Sequence, residues 1–365
     1  MNKEELFFQT YLNLEKDVME LAKYVFFTDN QLDVYSPYIA DLLVRCAVEI
    51  EGISKELYFH LNLNMGEREV EEKTIYFDSH CLAELDKKWT TSKKRVLITS
   101  PLFYFKKKEN QILRPLKEAH KQGKNFWKKA YQSVKHDRYN NLEHGNIRNL
   151  LGALASLFLL NVYYKRPSWT CNYSDLKKMD YSMGSRIFSL KSPNIDKLWE
   201  GQPSMDVESP FIVHYTNADF AKIKAIKERE AEDIKAFLFQ QEEIMDEEFA
   251  NHLQKIFKEK GESWKNLNVI IQEWGEYRLN KKIPSDLSFE QRRELFIASE
   301  EWKGRIYQNN TPLQKGDLTQ ENIQGEINRA GRLWGIDRTR YMHQSSRWIR
   351  AVMDGLCTVS IPNEG

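Results

Sequence analysis

The chain predicts a mainly α protein: a helical bundle of four helices with a small β-containing insertion, followed by a charged helical C-terminal region. Three observations predict it. Apolar residues recur every three or four positions in several long stretches, the signature of one buried helix face. β-branched and aromatic runs are confined to residues 64–112 and two short segments further on. Charged residues make up 29% of the 365 and concentrate in stretches that keep helical period.

Along the chain, Phe7, Tyr11, Leu14, Val18, Leu21 and Val25 set the first helix. "TDNQLDVYS" breaks it, and Ser36-Pro37 reads as an N-cap followed by the first helical residue. The second helix spans 36–61, with Ile39, Leu42, Leu43, Cys46, Ile50, Ile53 and Leu57 on one face. In the insertion, "KTIYFDS" and "KRVLITSPLFYF" read as strands of a hairpin around the polar "DKKWTTSKK". Helical period returns over 122–135 at Phe126, Trp127, Ala130, Tyr131 and Val134. It returns again at Ile147, Leu150, Leu151, Leu154, Leu157 and Phe158, with Asn140 or Asn141 as the cap of this later helix. The bundle therefore occupies 1–165. Residues 166–216 read as a connector with short strands at "GSRIFSL" and "PFIVHYT". From 217 to 365 the chain is helical and charged, including the basic stretch "DRTRYMHQSSRWIRAVMDGL".

Composition excludes several function classes. A net charge of +1 leaves no global field for a polyanionic partner, so such a signal must be local. Cys46, Cys81, Cys171 and Cys357 lie far apart with no CxxC pair, which argues for reduced thiols in a cytoplasmic protein and against a zinc knuckle or disulfide framework. The N-terminal segment lacks a signal-peptide pattern, and the apolar run 150–160 is too short to span a bilayer. No acidic cluster has two-metal spacing, and neither a Walker phosphate loop nor a GxSxG elbow is present, so neither a cofactor nor a metal is expected.

One local signal stands out. Between Phe105 and Arg148 there are twelve Lys or Arg and four Asp or Glu, interleaved with Phe126, Trp127, Tyr131 and Tyr139. Cations attract phosphates and aromatic faces stack bases, so the stretch suits single-stranded nucleic acid; an ordinary solvated helix face has the same composition. Lys135 and His136 fall where a helix ends, and cations are favoured there by the macrodipole. Arg138 lies in the connection. His144 is expected in the first turn of the next helix, in phase with Ile147, Leu151 and Leu154, with Arg148 one turn beyond. Glu49, Glu51 and Glu56 on the second helix are candidates to neutralise this junction, or simply solvated.

Arg138 and His144, separated by five residues at the head of the last bundle helix, resemble the R-x4–6-H motif of the HEPN superfamily. "YIADLLVRCAVEIEGISKELY", "FWKKAYQSVKHDR" and "NIRNLLGALASLF" extend the likeness over residues 1–165. Arg114 with His120 and Arg338 with His343 fit the same spacing, so position within the predicted bundle, not the motif, carries the assignment. The resemblance implies a HEPN-like four-helix bundle and a metal-independent endoribonuclease acting in the cytoplasm as a toxin or phage-defence effector. It further implies a homodimer that joins two motifs across one cleft, and an antitoxin or defence-system protein as partner. His144 would be the general acid or base and Arg138 the phosphate clamp. Lys135, His136, Asn141 and Arg148 are the further RNA- or phosphate-binding candidates. The alternative is a non-catalytic HEPN protein that binds RNA, a nucleotide or a protein partner. On one continuous helix, Arg138 and His144 would point about 120° apart. Convergence therefore requires the helix to begin after Arg138, or a second copy to complete the site.

Overall fold

A computed structural model of the chain describes residues 3–62, 75–241, 247–261, 267–302, 307–308, 311–344 and 347–362. The protein is mainly helical with small sheets. It divides into two units, residues 1–220 with 354–365, and residues 221–353.

The first unit is built around five helices: α1 (Lys3–Leu21), α2 (Pro37–Asn62), α3 (Ala83–Trp89), α4 (Phe126–His136) and α5 (Ile147–Lys165). The apolar residues of α5 run all round it, so it must be buried on every side. Apart from Arg148, its residues from Ile147 to Tyr163 are buried. Helices α1, α2 and α4 pack against it. Tyr11, Leu14 and Val18 of α1, Ile39, Leu43, Cys46 and Ile50 of α2, and Trp127, Tyr131 and Val134 of α4 supply the facing core. Each such side chain contributes about 1.5–3 kcal/mol on burial. The helix extends past the 150–160 run to 19 residues, long and apolar enough to cross a membrane, yet 89% of that window is buried inside the protein.

Local signals explain where the helices start. Ser36 Oγ accepts from Ile39 N–H at 3.1 Å, with Pro37 as the first residue of α2. Asn125 caps α4 by accepting from Lys128 N–H at 3.1 Å. Val25, the last mark of the first stripe, falls beyond α1, which ends at Leu21.

The insertion differs from the predicted hairpin. Residues Phe77–Leu82 of and beyond "KTIYFDS" form a π-helical turn that buries Phe77, Cys81 and Leu82, so this segment is not a strand; residues 73 and 74 lie outside the described residues. Strand β1 (Phe27–Thr28) pairs in parallel with β3 (Phe103–Tyr104). Strand β2 (Val96–Ile98) is central in an antiparallel sheet between β4 (Ile112–Leu113) and β6 (Phe188–Leu190), with Val96 opposite both Leu113 and Leu190. The partners thus come from either side of the bundle helices. The carboxylate of Glu15, buried on α1, accepts from the Tyr11 hydroxyl at 2.6 Å, from the Ser185 hydroxyl, and from the N–H groups of Arg186 and Ile187, tying the β6 arm to α1.

Residues 166–216, expected as a connector, belong to the first unit's core through Leu176, Tyr181, Ile187, Phe188, Phe211 and Val213. They also supply β5 (Ser168–Asn172), β7 (Ser204–Met205) and β8 (Ile212–Tyr215).

Helix α6 (Asn217–Gln241) starts in the first unit and continues into the second. The second unit then holds α7 (Glu247–Lys260), α8 (Leu267–Lys282), α9 (Phe289–Ala298), the two-residue strands β9 (Tyr307–Gln308) and β10 (Thr311–Pro312), α10 (Ile323–Gln344) and α11 (Arg347–Asp354). Leu279, Ile283, Phe296, Ile323 and Ile327 form its core. Helices α8 and α10 approach closely where glycines face backbone: a Cβ on Gly275 would meet Gly331 O at 2.2 Å, and one on Gly335 would meet Ile271 O at 2.7 Å. The chain then returns to the first unit as β11 (Leu356–Ser360), which inserts antiparallel between β5 and β8.

Candidate functional site

The α4–α5 connection is short and heavily braced. Helix α4 stops at Asp137, whose backbone leaves helical geometry (φ −149°, ψ 79°) while its N–H still donates to Ser133 O at 3.0 Å. The Asp137 carboxylate accepts from Asn140 N–H at 3.1 Å and from Asn140 Nδ2 at 2.7 Å. Those hydrogen bonds hold its pKa below the usual carboxylate value. Asn141 Nδ2 donates to Asp137 O at 2.8 Å. A 3₁₀ turn over Leu142–His144 follows, and Asn146 caps α5 by accepting from Asn149 N–H at 3.0 Å.

Two expectations are corrected here. The cap of α5 is Asn146, not Asn140 or Asn141, because those two amides are already engaged with Asp137. His144 lies in the 3₁₀ turn before the cap rather than in the first helical turn. Its position is set instead by its carbonyl, which accepts from Asn149 Nδ2 at 2.9 Å, and by the next residue. A Cβ on Gly145 would meet Ala40 Cβ at 2.4 Å, so only glycine lets the turn lie against the start of α2. Ile147 N–H and Arg148 N–H donate to Val34 O and Leu32 O, fixing the turn to the segment before α2.

The candidate side chains divide into two groups. Lys135, His136 and Arg138 are exposed. Lys135 Nζ lies 5.4 Å from the centre of the Tyr131 ring, whereas Arg138 has neither a hydrogen bond nor an ion pair among the described residues. The His144 side chain is 42% exposed, with Nε2 3.9 Å from Glu143 Oε1. Lys135 and His136 end α4, while Arg138 and His144 share the connection; because α5 begins after Arg138, the 120° separation of a continuous helix does not apply to that pair. Asn141 and Arg148 stand apart. The Asn141 amide is committed to the turn, and Arg148 Nε reaches Asp33 Oδ1 at 3.4 Å. Glu51 and Glu56, expected to face the junction or solvent, are instead paired with Lys55 at 3.1 Å and Lys3 at 3.0 Å.

Sequence reasoning missed a second feature. A cleft of about 660 Å³ opens between the β2–β4 arm, α4 and α5. Arg95, Lys108, Arg114, Lys117 and Arg148 line it against one carboxylate, Glu109. Its floor is apolar, with Phe126 and Leu151 among the contributors. Behind the cations, Glu208 binds Arg95 and, at 3.0 Å, Arg114. A 2.6 Å hydrogen bond from Lys191, helped by those two arginines, holds the Glu208 carboxyl below its usual range. The charge excess from Phe105 onward was the available signal, but Arg95 joins the group only through the pairing of β2 with β4. No family model, no curated protein and no solved structure matches this chain.

Proposed function

We propose that the chain is a metal-independent endoribonuclease of the HEPN type, with a HEPN-like bundle formed by α1, α2, α4 and α5, and that it cleaves single-stranded RNA at the α4–α5 connection. One observation supports the reading above the others: Arg138, exposed and unpaired among the described residues, stands on a turn braced by Asp137, Asn140 and Asn141 and is flanked in sequence by exposed His136 and half-exposed His144. A braced turn holds reacting groups with little loss of entropy on substrate binding.

In this mechanism the neutral imidazole of His144 takes the proton of a ribose 2′-OH. The 2′-oxygen attacks the adjacent phosphorus, Arg138 stabilises the charge on the non-bridging oxygens, and the 5′-oxygen leaves with a proton from a second imidazole. That imidazole is His136, or His144 of a second copy of the chain. The product carries a 2′,3′-cyclic phosphate. Lys135 and Arg148 hold flanking phosphates. The reading carries a homodimer, a cytoplasmic toxin or defence role, and an antitoxin or defence-system partner.

The test is cleavage of a single-stranded RNA by the purified chain in EDTA, with the ends analysed chemically. The expected result is cyclic-phosphate ends, loss of cleavage in His144→Ala, and a roughly 10²–10³-fold loss in Arg138→Ala, with circular dichroism unchanged. Wild type that binds RNA with steep salt dependence and never cuts it would replace this reading with the non-catalytic one.

A further inference from the structure

The cleft between the β2–β4 arm and α5 has a chemistry that, Arg148 apart, the ribonuclease reading does not use. Five cations line one opening; Lys108, Arg114, Lys117 and Arg148 are exposed and Arg95 is half-buried. Among the described residues the buried Nε of Arg95 has no hydrogen-bond partner, although the same guanidinium binds Glu208. Glu208 is shared among Arg95, Arg114 and Lys191, and Asp206 also pairs with Lys191 at 2.7 Å, so these three cations meet two carboxylates.

The apolar side of the cleft is equally specific. Phe126 opens α4, yet the residue is 41% exposed instead of packed in the core. It is seated on α5 at Gly152, where a Cβ would come within 2.4 Å of the ring. The glycine therefore lets an aromatic side chain settle against the helix beside Leu151, at the cleft. Aromatic and aliphatic surface next to clustered guanidinium and ammonium groups matches a ligand with a flat heterocycle at one end and several phosphates at the other. A volume of about 660 Å³ suits a molecule of that size rather than a bare ion.

We propose that this cleft binds a nucleoside polyphosphate, the base lying on Phe126 and Leu151 and the phosphates held by Arg95, Arg114, Lys108 and Lys117. The proposal does not rest on the ribonuclease reading, and its readout is binding rather than cleavage. Isothermal titration of the full chain with ATP, inorganic triphosphate and adenosine tests it. ATP is expected to bind at least tenfold more tightly than either fragment. Lys108→Glu/Lys117→Glu is expected to weaken ATP by tenfold or more, and Phe126→Leu by about five- to tenfold, while Phe126→Tyr retains binding. Melting curves of each variant establish that it is folded. Three results would overturn the proposal: no ATP heat with wild type at millimolar ligand; triphosphate binding as tightly as ATP; or ATP affinity untouched by the lysine reversals. A single-stranded oligoribonucleotide that binds in a Lys108- and Lys117-dependent way while ATP does not would likewise overturn it, making the cleft an RNA track.

Discussion

Lys94 is a cation that the fold buries at a cost. Its side chain is 6% exposed, and its ammonium donates to Ser209 O at 3.0 Å. Burial pulls its pKa from 10.5 down to about 8, only partly opposed by Asp206 and Asp86. Lys128 is buried as deeply but meets three acceptors, Asp78 at 3.0 Å, Ala119 O at 2.7 Å and Lys121 O at 2.9 Å. The sign of the Lys94 effect follows from linkage. Between about pH 8 and 10.5 the unfolded chain keeps a proton that the folded protein has released, so this group's contribution to stability rises with pH. Below about 8 the full penalty is present. Wild type should therefore gain on Lys94→Met by about 3 kcal/mol as pH rises between those limits, read from urea midpoints of both proteins at each pH. A difference that stays constant with pH would refute the assignment.

At the scale of elements, the α8–α10 contact depends on glycine. A Cβ on Gly331 would meet Glu276 Cα at 2.6 Å, and one on Gly275 would strike Gly331 O, so the two backbones could not keep their spacing. Gly331→Ala should cost about 1–3 kcal/mol or more and raise hydrogen exchange over residues 267–344, whereas Gly325→Ala, where a Cβ meets nothing within 4 Å, should not. Unchanged exchange in Gly331→Ala would show that the helices can separate freely. The same scale separates what was legible in the sequence from what was not. Helices α1, α2, α4 and α5 were legible because their buried faces repeat with helical period, as Tyr11, Leu14 and Val18 show. Strands of two or three residues carry no period, and the π turn at Phe77–Leu82 looked like a strand because "TIYF" has strand composition, although Tyr76 is exposed and Phe77 is buried in a turn. The cap of α5 was misassigned because three asparagines stand within seven residues, and only Asp137 decides which two are occupied. Arg138, His136 and His144 could be singled out by charge and spacing. The cleft could not, since Arg95 and Arg114 meet through strand pairing that no local pattern records.

For the whole molecule, the telling feature is that the second unit interrupts the first. It leaves after Phe220 and returns at Asp354, on strands that are neighbours: Tyr215 lies opposite Cys357, and Thr216 N–H donates to Leu356 O at 2.9 Å. Replacing residues 221–353 by a flexible turn of about three to five residues should leave a first unit that folds alone. Expected are near-ultraviolet circular dichroism, a cooperative melt and a monodisperse species on gel filtration; an aggregated or non-cooperative product would show that the first unit depends on the second. The same topology has a temporal side. Tyr215 and Leu356 are 141 positions apart, which at roughly 5–20 residues per second separates their emergence from the ribosome by about 7–28 s. Through that interval the nascent chain presents β5 and β8 as open strand edges with their joining partner not yet made. Chaperone occupancy during synthesis should accordingly peak on residues 168–215 and fall once the closing strand arrives.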